Sequence, residues 1–313
     1  MPSSTRLLAF FIAHLLIVPL AIRAQGVKRL PNRHAPLELL VLGSGGPRAF
    51  GRAGTSYVVL VDGVPRILVD AGPGAFLQVG KLKVNLDRVD TVLLTHLHID
   101  HSAGLPAIFL ERALTSEGPI QFKVFGPQGG PGFPSTTKFL HLLFDPGGVF
   151  EYQKTFGAEE NITGVDLSTD LKSPEQQIVN SNGLQVREIA THHDDAPAVA
   201  YRIDYKGYSI TFSGDMDESA APNLEELAKD SDLLVFHCAV LDSPGSPAEL
   251  YTLHTPPRKI GEIAQQAGVK HLLLSHIPPA VEEKEPEVRR SIRRSYQGTI
   301  AFAQDGTRVR ARP

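Results

Sequence analysis

Thr95-His96-Leu97-His98-Ile99-Asp100-His101 places three imidazoles and one carboxylate between positions 96 and 101. His96 and His98, two apart, can approach one cation from a tight loop, while Asp100 and His101 point back across the turn toward a second. Nitrogen and oxygen donors of this kind suit zinc. The preceding Asp90-Thr91-Val92-Leu93-Leu94 reads as a short buried strand, so the cluster lies at a strand's end, where rigid elements present function on loops. Chance is a poor account of it, because the chain has 12 His among 313 residues. A structural zinc site would favour thiolates and close all four positions. The one cysteine, Cys238, follows the apolar run Leu233-Leu234-Val235-Phe236 and reads as a buried thiol.

The composition, 42% hydrophobic and 21% charged, is that of an ordinary globular chain and excludes disorder as the main state. The N-terminus differs from the rest. Met1-Pro2-Ser3-Ser4-Thr5-Arg6 is short and basic, Leu7 to Ile22 is almost wholly apolar, and Ala24 offers a small residue for cleavage. That is the layout of a secretory signal. Residues 1–24 are therefore read as a signal peptide, residues 25–313 as a single domain, and the product as secreted or periplasmic. His14 and Pro19 interrupt an apolar run shorter than the ~20 residues a span needs. No stable membrane span is expected, with an uncleaved anchor as the alternative. The formal net charge is -3, and cleavage would remove Arg6 and Arg23 but no acid. A lone cysteine allows no internal disulfide, so cysteine usage adds nothing on compartment.

Further along, Asp62-Gly63 and Lys206-Gly207 each separate two apolar, β-branched runs and signal hairpins. Gly126 to Gly132 is a breaker-rich loop ahead of a helix around Ser135 to Phe144. Thr255 reads as a helix N-cap with Pro256 and Pro257 in the first turn, the helix ending at Gly268. The strand His271 to Leu274 then delivers His276 to the edge that carries the cluster. Two cations need more ligands than residues 96–101 hold, and strand ends supply His192 or His193, Asp215 and His276. The whole is a mixed α/β domain without repeat or linker.

Six blocks in order carry a resemblance: Leu42-Gly43-Ser44-Gly45-Gly46-Pro47, Ile67-Leu68-Val69-Asp70-Ala71-Gly72, the histidine cluster continuing as Ser102-Ala103-Gly104-Leu105-Pro106, Ser213-Gly214-Asp215, Leu253-His254-Thr255 and Leu274-Ser275-His276. From about Leu39 to Pro278 the chain resembles the metallo-β-lactamase superfamily, and within it the ribonuclease Z and arylsulfatase-like branch. The resemblance implies an αββα four-layer sandwich with its metal site along one edge. It implies two Zn2+, with Mn2+ or Fe as alternatives. His96, His98 and His193 would hold one ion, Asp100, His101 and His276 the other, and Asp215 would bridge. His193 is preferred over His192 because it lies eight residues before Tyr201. Asp70 matches an acid that orients the ligand loop, and His254 matches a histidine facing the scissile ester. His237 could line the site, whereas His34, His141 and His271 have no motif context.

Two ions about 3.5–4 Å apart would bridge a water, lower its pKa toward roughly 7 and supply hydroxide. Asp100, with an oxygen free, would orient or deprotonate that water. The chain is thus expected to be an exported dinuclear metal-dependent hydrolase of phosphodiester or sulfate esters, with a lactonase-type metallohydrolase as runner-up. A non-catalytic binding protein retaining the fold is the alternative from another class. The expected partner is a small-molecule ester and no nucleic acid, because no Gly/Pro/Lys-rich arm is present and the charge is negative, whereas RNA recognition leans on a basic surface. A homodimer stays open.

Overall fold

The computed structural model describes residues 35–155 and 159–312, all of which fall in one compact unit. The segment read as a signal peptide lies outside the described residues.

Both dipeptide turns close hairpins. Asp62 and Gly63 take φ values of 49° and 82°, Lys206 and Gly207 values of 50° and 79°, the left-handed pair that a two-residue turn between twisted strands requires. The first joins β2 (Ser56–Val61) to β3 (Val64–Ala71), with β1 (Leu37–Gly43) on the far side of β2 in the same sheet. Parallel β4 (Thr91–Leu93), β5 (Ile120–Pro127) and β6 (Glu160–Leu167) extend it.

The second sheet begins with β7 (Gln176–Ser181), β8 (Leu184–His193), β9 (Ala196–Tyr205) and β10 (Tyr208–Phe212) as an antiparallel meander. Parallel β11 (Leu233–His237), β12 (His271–Ser275) and β13 (Thr299–Phe302) complete it. The final strand, β14 (Arg308–Arg310), crosses back to pair with β1.

The layering follows from which faces are apolar. Between the sheets, Leu39, Tyr57 and Val69 from the first meet Val199, Tyr201 and Phe212 from the second. The outer face of the first sheet is covered by α1 (Ala75–Leu82), α3 (Leu105–Thr115) and α4 (Thr136–Phe144), which bury Val79, Phe109 and Leu140. The outer face of the second carries α5 (Ala221–Leu227), α6 (Pro257–Gln266) and α8 (Glu285–Ile292), burying Leu224, Ile263 and Val288. Two mixed sheets flanked by helices form the αββα sandwich. Short α2 (Ile99–Ser102) and α7 (Pro279–Glu283) sit at its functional edge.

One cap differs from expectation. Pro256 caps α6, because the Thr255 hydroxyl is buried and donates to the Met216 carbonyl at 2.8 Å. Thr255 therefore ties the segment of His254 to the segment of Asp215. The sheets are stitched together at the same edge, where Val199 N–H donates to the Thr95 carbonyl (2.9 Å) and the Tyr201 hydroxyl to the Leu94 carbonyl (2.8 Å).

Candidate metal centre

Asp70 lies one residue before the end of β3, residues 95–101 follow β4, His193 ends β8, Asp215 follows β10, His237 ends β11 and His276 follows β12. β8, β10, β11 and β12 run in one direction, so their C-terminal ends share an edge. Residues far apart in the chain thereby converge.

Two ligand-grade groups result. One atom each from His96, His98 and His193 lie within 4.8 Å of one another, as do atoms from Asp100, His101, Asp215 and His276. His98 Nδ1 is 3.0 Å from His96 Nε2 and 3.2 Å from His193 Nε2. Facing nitrogens of three imidazoles can share N–H groups, and the same arrangement fits around a cation. In the second group His276 Nε2 is 3.0 Å from Asp100 Oδ2, and His101 Nε2 is buried with no hydrogen-bond partner among the described residues. Asp215 Oδ2 lies 3.6 Å from His193 Nε2 and 3.9 Å from His96 Nε2 on one side, and 3.3 Å from His276 Nε2 and 3.6 Å from His101 Nε2 on the other. It stands between the groups.

The far nitrogens are oriented as metal-binding imidazoles usually are. Asp70 takes the His101 Nδ1 side at 2.9 Å and is itself fixed by the Thr95 N–H and hydroxyl, each at 2.8 Å. His193 Nδ1–H donates to the Leu253 carbonyl at 2.7 Å. Adjacent His192 faces away, half exposed, with its Nδ1 2.7 Å from Asp217. Strand alternation separates the two histidines. His237 Nδ1 holds the other oxygen of Asp215 at 2.8 Å, and its Nε2 lies 3.0 Å from the Tyr57 hydroxyl, which donates to Ser275 Oγ. His237 therefore sits behind Asp215. The sequence assigns no role to Tyr57 or Ser275, because nothing in an apolar strand marks a hydroxyl as reaching across the two sheets.

Backbone conformation is constrained here too. Asp70 and His276 take φ values of 53° and 59°, left-handed for residues other than glycine and the kind of outlier that clusters at functional sites. Gly46 passes so close to His276 that a Cβ there would come within 2.5 Å of the ring.

The electrostatics match a site built for cations. Burial opposes the charge on Asp215, yet His276, His254 and His101 outweigh it and hold the carboxyl well below its usual range. Asp100 is likewise brought down to about 2, burial being overcome by His101 and His276. Burial lowers His96 well below the ordinary imidazole value and lowers His193 as well, which keeps lone pairs available for a metal. His254 is depressed to about 3, chiefly by burial, against the pull of Asp215. Its Nδ1 lies 3.9 Å from Asp215 Oδ1 and has no hydrogen-bond partner among the described residues. At neutral pH it is a neutral imidazole beside the second carboxylate oxygen. His141 and His271 lie apart from the cluster, paired with Asp145 and Thr299, and His34 lies outside the described residues.

A family model described as a β-lactamase superfamily domain matches residues 65–277. A ribonuclease Z of Mycobacterium avium (strain 104) is 28% identical over 284 residues, spanning 87% of this chain and 98% of the relative. The metallo-beta-lactamase fold protein YhfI of Bacillus subtilis superposes with a TM-score of 0.65 at 20% identity, over 88% of this chain and 99% of the other. The human tRNase Z, short form, does so with a TM-score of 0.65 at 19% identity, over 88% and 100%. The chain belongs to the β-lactamase superfamily. It is a ribonuclease Z-like, metal-dependent hydrolase acting on ester bonds.

That result corrects one expectation. A small-molecule ester with no nucleic acid does not stand, because the relative matched over 98% of its length is a ribonuclease. The error was physical. Net charge averages over the whole surface and does not report local groups: Arg290, Arg293 and Arg294 are exposed at the C-terminal end of α8 beside Arg289.

Proposed function

We propose that the chain hydrolyses phosphodiester bonds of RNA at a dinuclear centre, with His96, His98 and His193 holding one divalent ion, Asp100, His101 and His276 the other, and Asp215 bridging. The observation that carries this reading is the position of Asp215 Oδ2, within 3.3–3.9 Å of imidazole nitrogens from both groups. The donor set of imidazoles and carboxylates suits Zn2+ and accepts Mn2+ or Fe. Bound divalent ions would activate water and offset charge on the phosphoryl oxygens.

The protein's own groups do the rest. Asp100 has one oxygen against His276 and another able to orient the attacking water. His254, neutral and carrying one N–H, can donate to charge developing on the leaving oxygen. Asp70, the Leu253 carbonyl and His237 hold the ligands in register.

Export is part of the same reading, supported by the basic start, the apolar run and Ala24. N-terminal sequencing from a native-like host should find Gln25, and an intact Met1 in the cytosolic fraction would remove export. For the reaction, metal-loaded protein should cleave bis(p-nitrophenyl) phosphate and a short RNA while leaving an aryl sulfate and a lactone nearly untouched. Lactone turnover with inert phosphodiesters would give the function to a lactonase, and aryl sulfate turnover would give it to a sulfatase.

A further inference from the structure

Beside His254 and His276 opens a cavity of about 450 Å3, walled by Phe50, Pro247, Leu250 and Ile277 and fringed by Arg48 and Arg52. Its size falls in the range of small-ligand pockets and its walls are largely apolar. The groups it adjoins handle an anionic ester, so an apolar chamber here must receive the uncharged part of the substrate.

The two arginines differ. Arg52 is engaged by Ser44 Oγ, the Ala303 carbonyl and Glu282. Exposed Arg48 instead lies 4.5 Å over the Phe50 ring centroid, and the Phe50 N–H donates to the Arg48 carbonyl at 3.0 Å, so a tight turn holds the two side chains together. An exposed guanidinium on an aromatic ring is common on surfaces. This pair is distinguished by sharing one cavity with His254 and His276. Its loop is also anchored: Asp305 accepts from Ser44 N–H at 3.0 Å and from Ala53 N–H at 2.8 Å.

Resting on the phosphodiester reading, we infer that this cavity receives the base of the nucleotide next to the scissile phosphate, with Phe50 as its aromatic wall and Arg48 meeting the adjoining phosphate. Aromatic walls accept bases by stacking with little regard to sequence. A guanidinium is the planar donor that suits a phosphate.

The chain contains no tryptophan, so Phe50→Trp installs a single indole in the cavity wall. In the zinc-loaded protein AMP should quench that indole saturably, ribose 5-phosphate should bind at least roughly tenfold more weakly, and adding Arg48→Ala should weaken AMP by roughly tenfold. A second arm keeps the native ring. Phe50→Ala should raise KM for thymidine 5′-p-nitrophenyl phosphate while leaving KM for methyl p-nitrophenyl phosphate within about twofold. Equal binding of AMP and ribose 5-phosphate, or equal KM changes for both esters, would overturn the inference. Turnover of phosphodiesters without quenching by AMP would overturn it and leave the hydrolase reading standing. Quenching without turnover in any metal would keep the nucleotide site and remove the hydrolase reading.

Discussion

At the scale of single residues, the site depends on close approach and on the depressed imidazole of His254. Gly46→Ala would drive a methyl group into the His276 ring, where a Cβ would lie 2.5 Å from the nearest atom. His276 already sits at φ 59° and has no backbone slack to yield. The variant should fold but lose about half its bound metal, and metal analysis beside a thermal melt checks this. Undiminished metal content would show that the loop gives way instead. His254 contributes differently. If it donates to the leaving oxygen, His254→Ala should cost roughly 10²–10⁴-fold in turnover with metal content intact. The loss should shrink on an ester whose leaving group is already a weak base. Near-normal turnover on both good and poor leaving groups would take His254 out of the reaction, and loss of one metal would make it a ligand.

At the scale of elements, the strands carry most of what could be read in advance and one liability that could not. The hairpins at Asp62-Gly63 and Lys206-Gly207 were legible because a left-handed turn leaves few residue choices. The equivalent Asn182-Gly183 between β7 and β8, with φ of 52° and 80°, was passed over. Its flanking strand β7 is mostly exposed and lacks an apolar signal. The helix end at Thr255 misled because a threonine before prolines looks the same whether its hydroxyl caps the helix or reaches Met216. The histidine cluster stood out as a candidate metal site because His96, His98, Asp100 and His101 are near neighbours in sequence. The resemblance preferred His193 over His192 by its spacing to Tyr201, and the burial of His193 beside a half-exposed His192 on β8 supplies the physical distinction.

The liability is Glu188, which shares the inner face of β8 with Val186 and stands opposite Tyr201. It is buried, its Oε2 has no hydrogen-bond partner among the described residues, and burial with nearby Glu175 raises its pKa from 4.5 to about 7. The folded chain therefore holds this proton more tightly than the unfolded chain. Stability is unaffected below the unfolded value, falls as pH rises from about 4.5 toward 7, and above that is lower by roughly 3 kcal/mol. Glu188→Gln should raise the melting temperature by roughly 5 °C at pH 8 and by little at pH 5. Equal gains at both pH values would contradict the assignment.

At the scale of the whole molecule, the sandwich exists as a way of bringing strand ends together. The metal edge takes residues from position 70 to position 276, and both sheets are needed to assemble it. The last residues matter for the same reason: Asp305, just before β14, fastens the loop that carries Gly46 over His276. No sequence motif marked it, since its partners, the N–H groups of Ser44 and Ala53 and the side chains of Ser44 and Gln78, are brought to it by tertiary contact. The expectation that failed, absence of a nucleic-acid partner, was also one of scale, with a summed charge standing in for a local surface.

The central claim is that two ions share the edge through Asp215, and metal stoichiometry tests it most directly. Protein loaded with zinc, freed of excess and analysed per chain should contain about two metals. His193→Ala and His276→Ala should each fall to about one, and His192→Ala should keep two. A single metal in the unaltered protein that persists through His276→Ala would contradict the account.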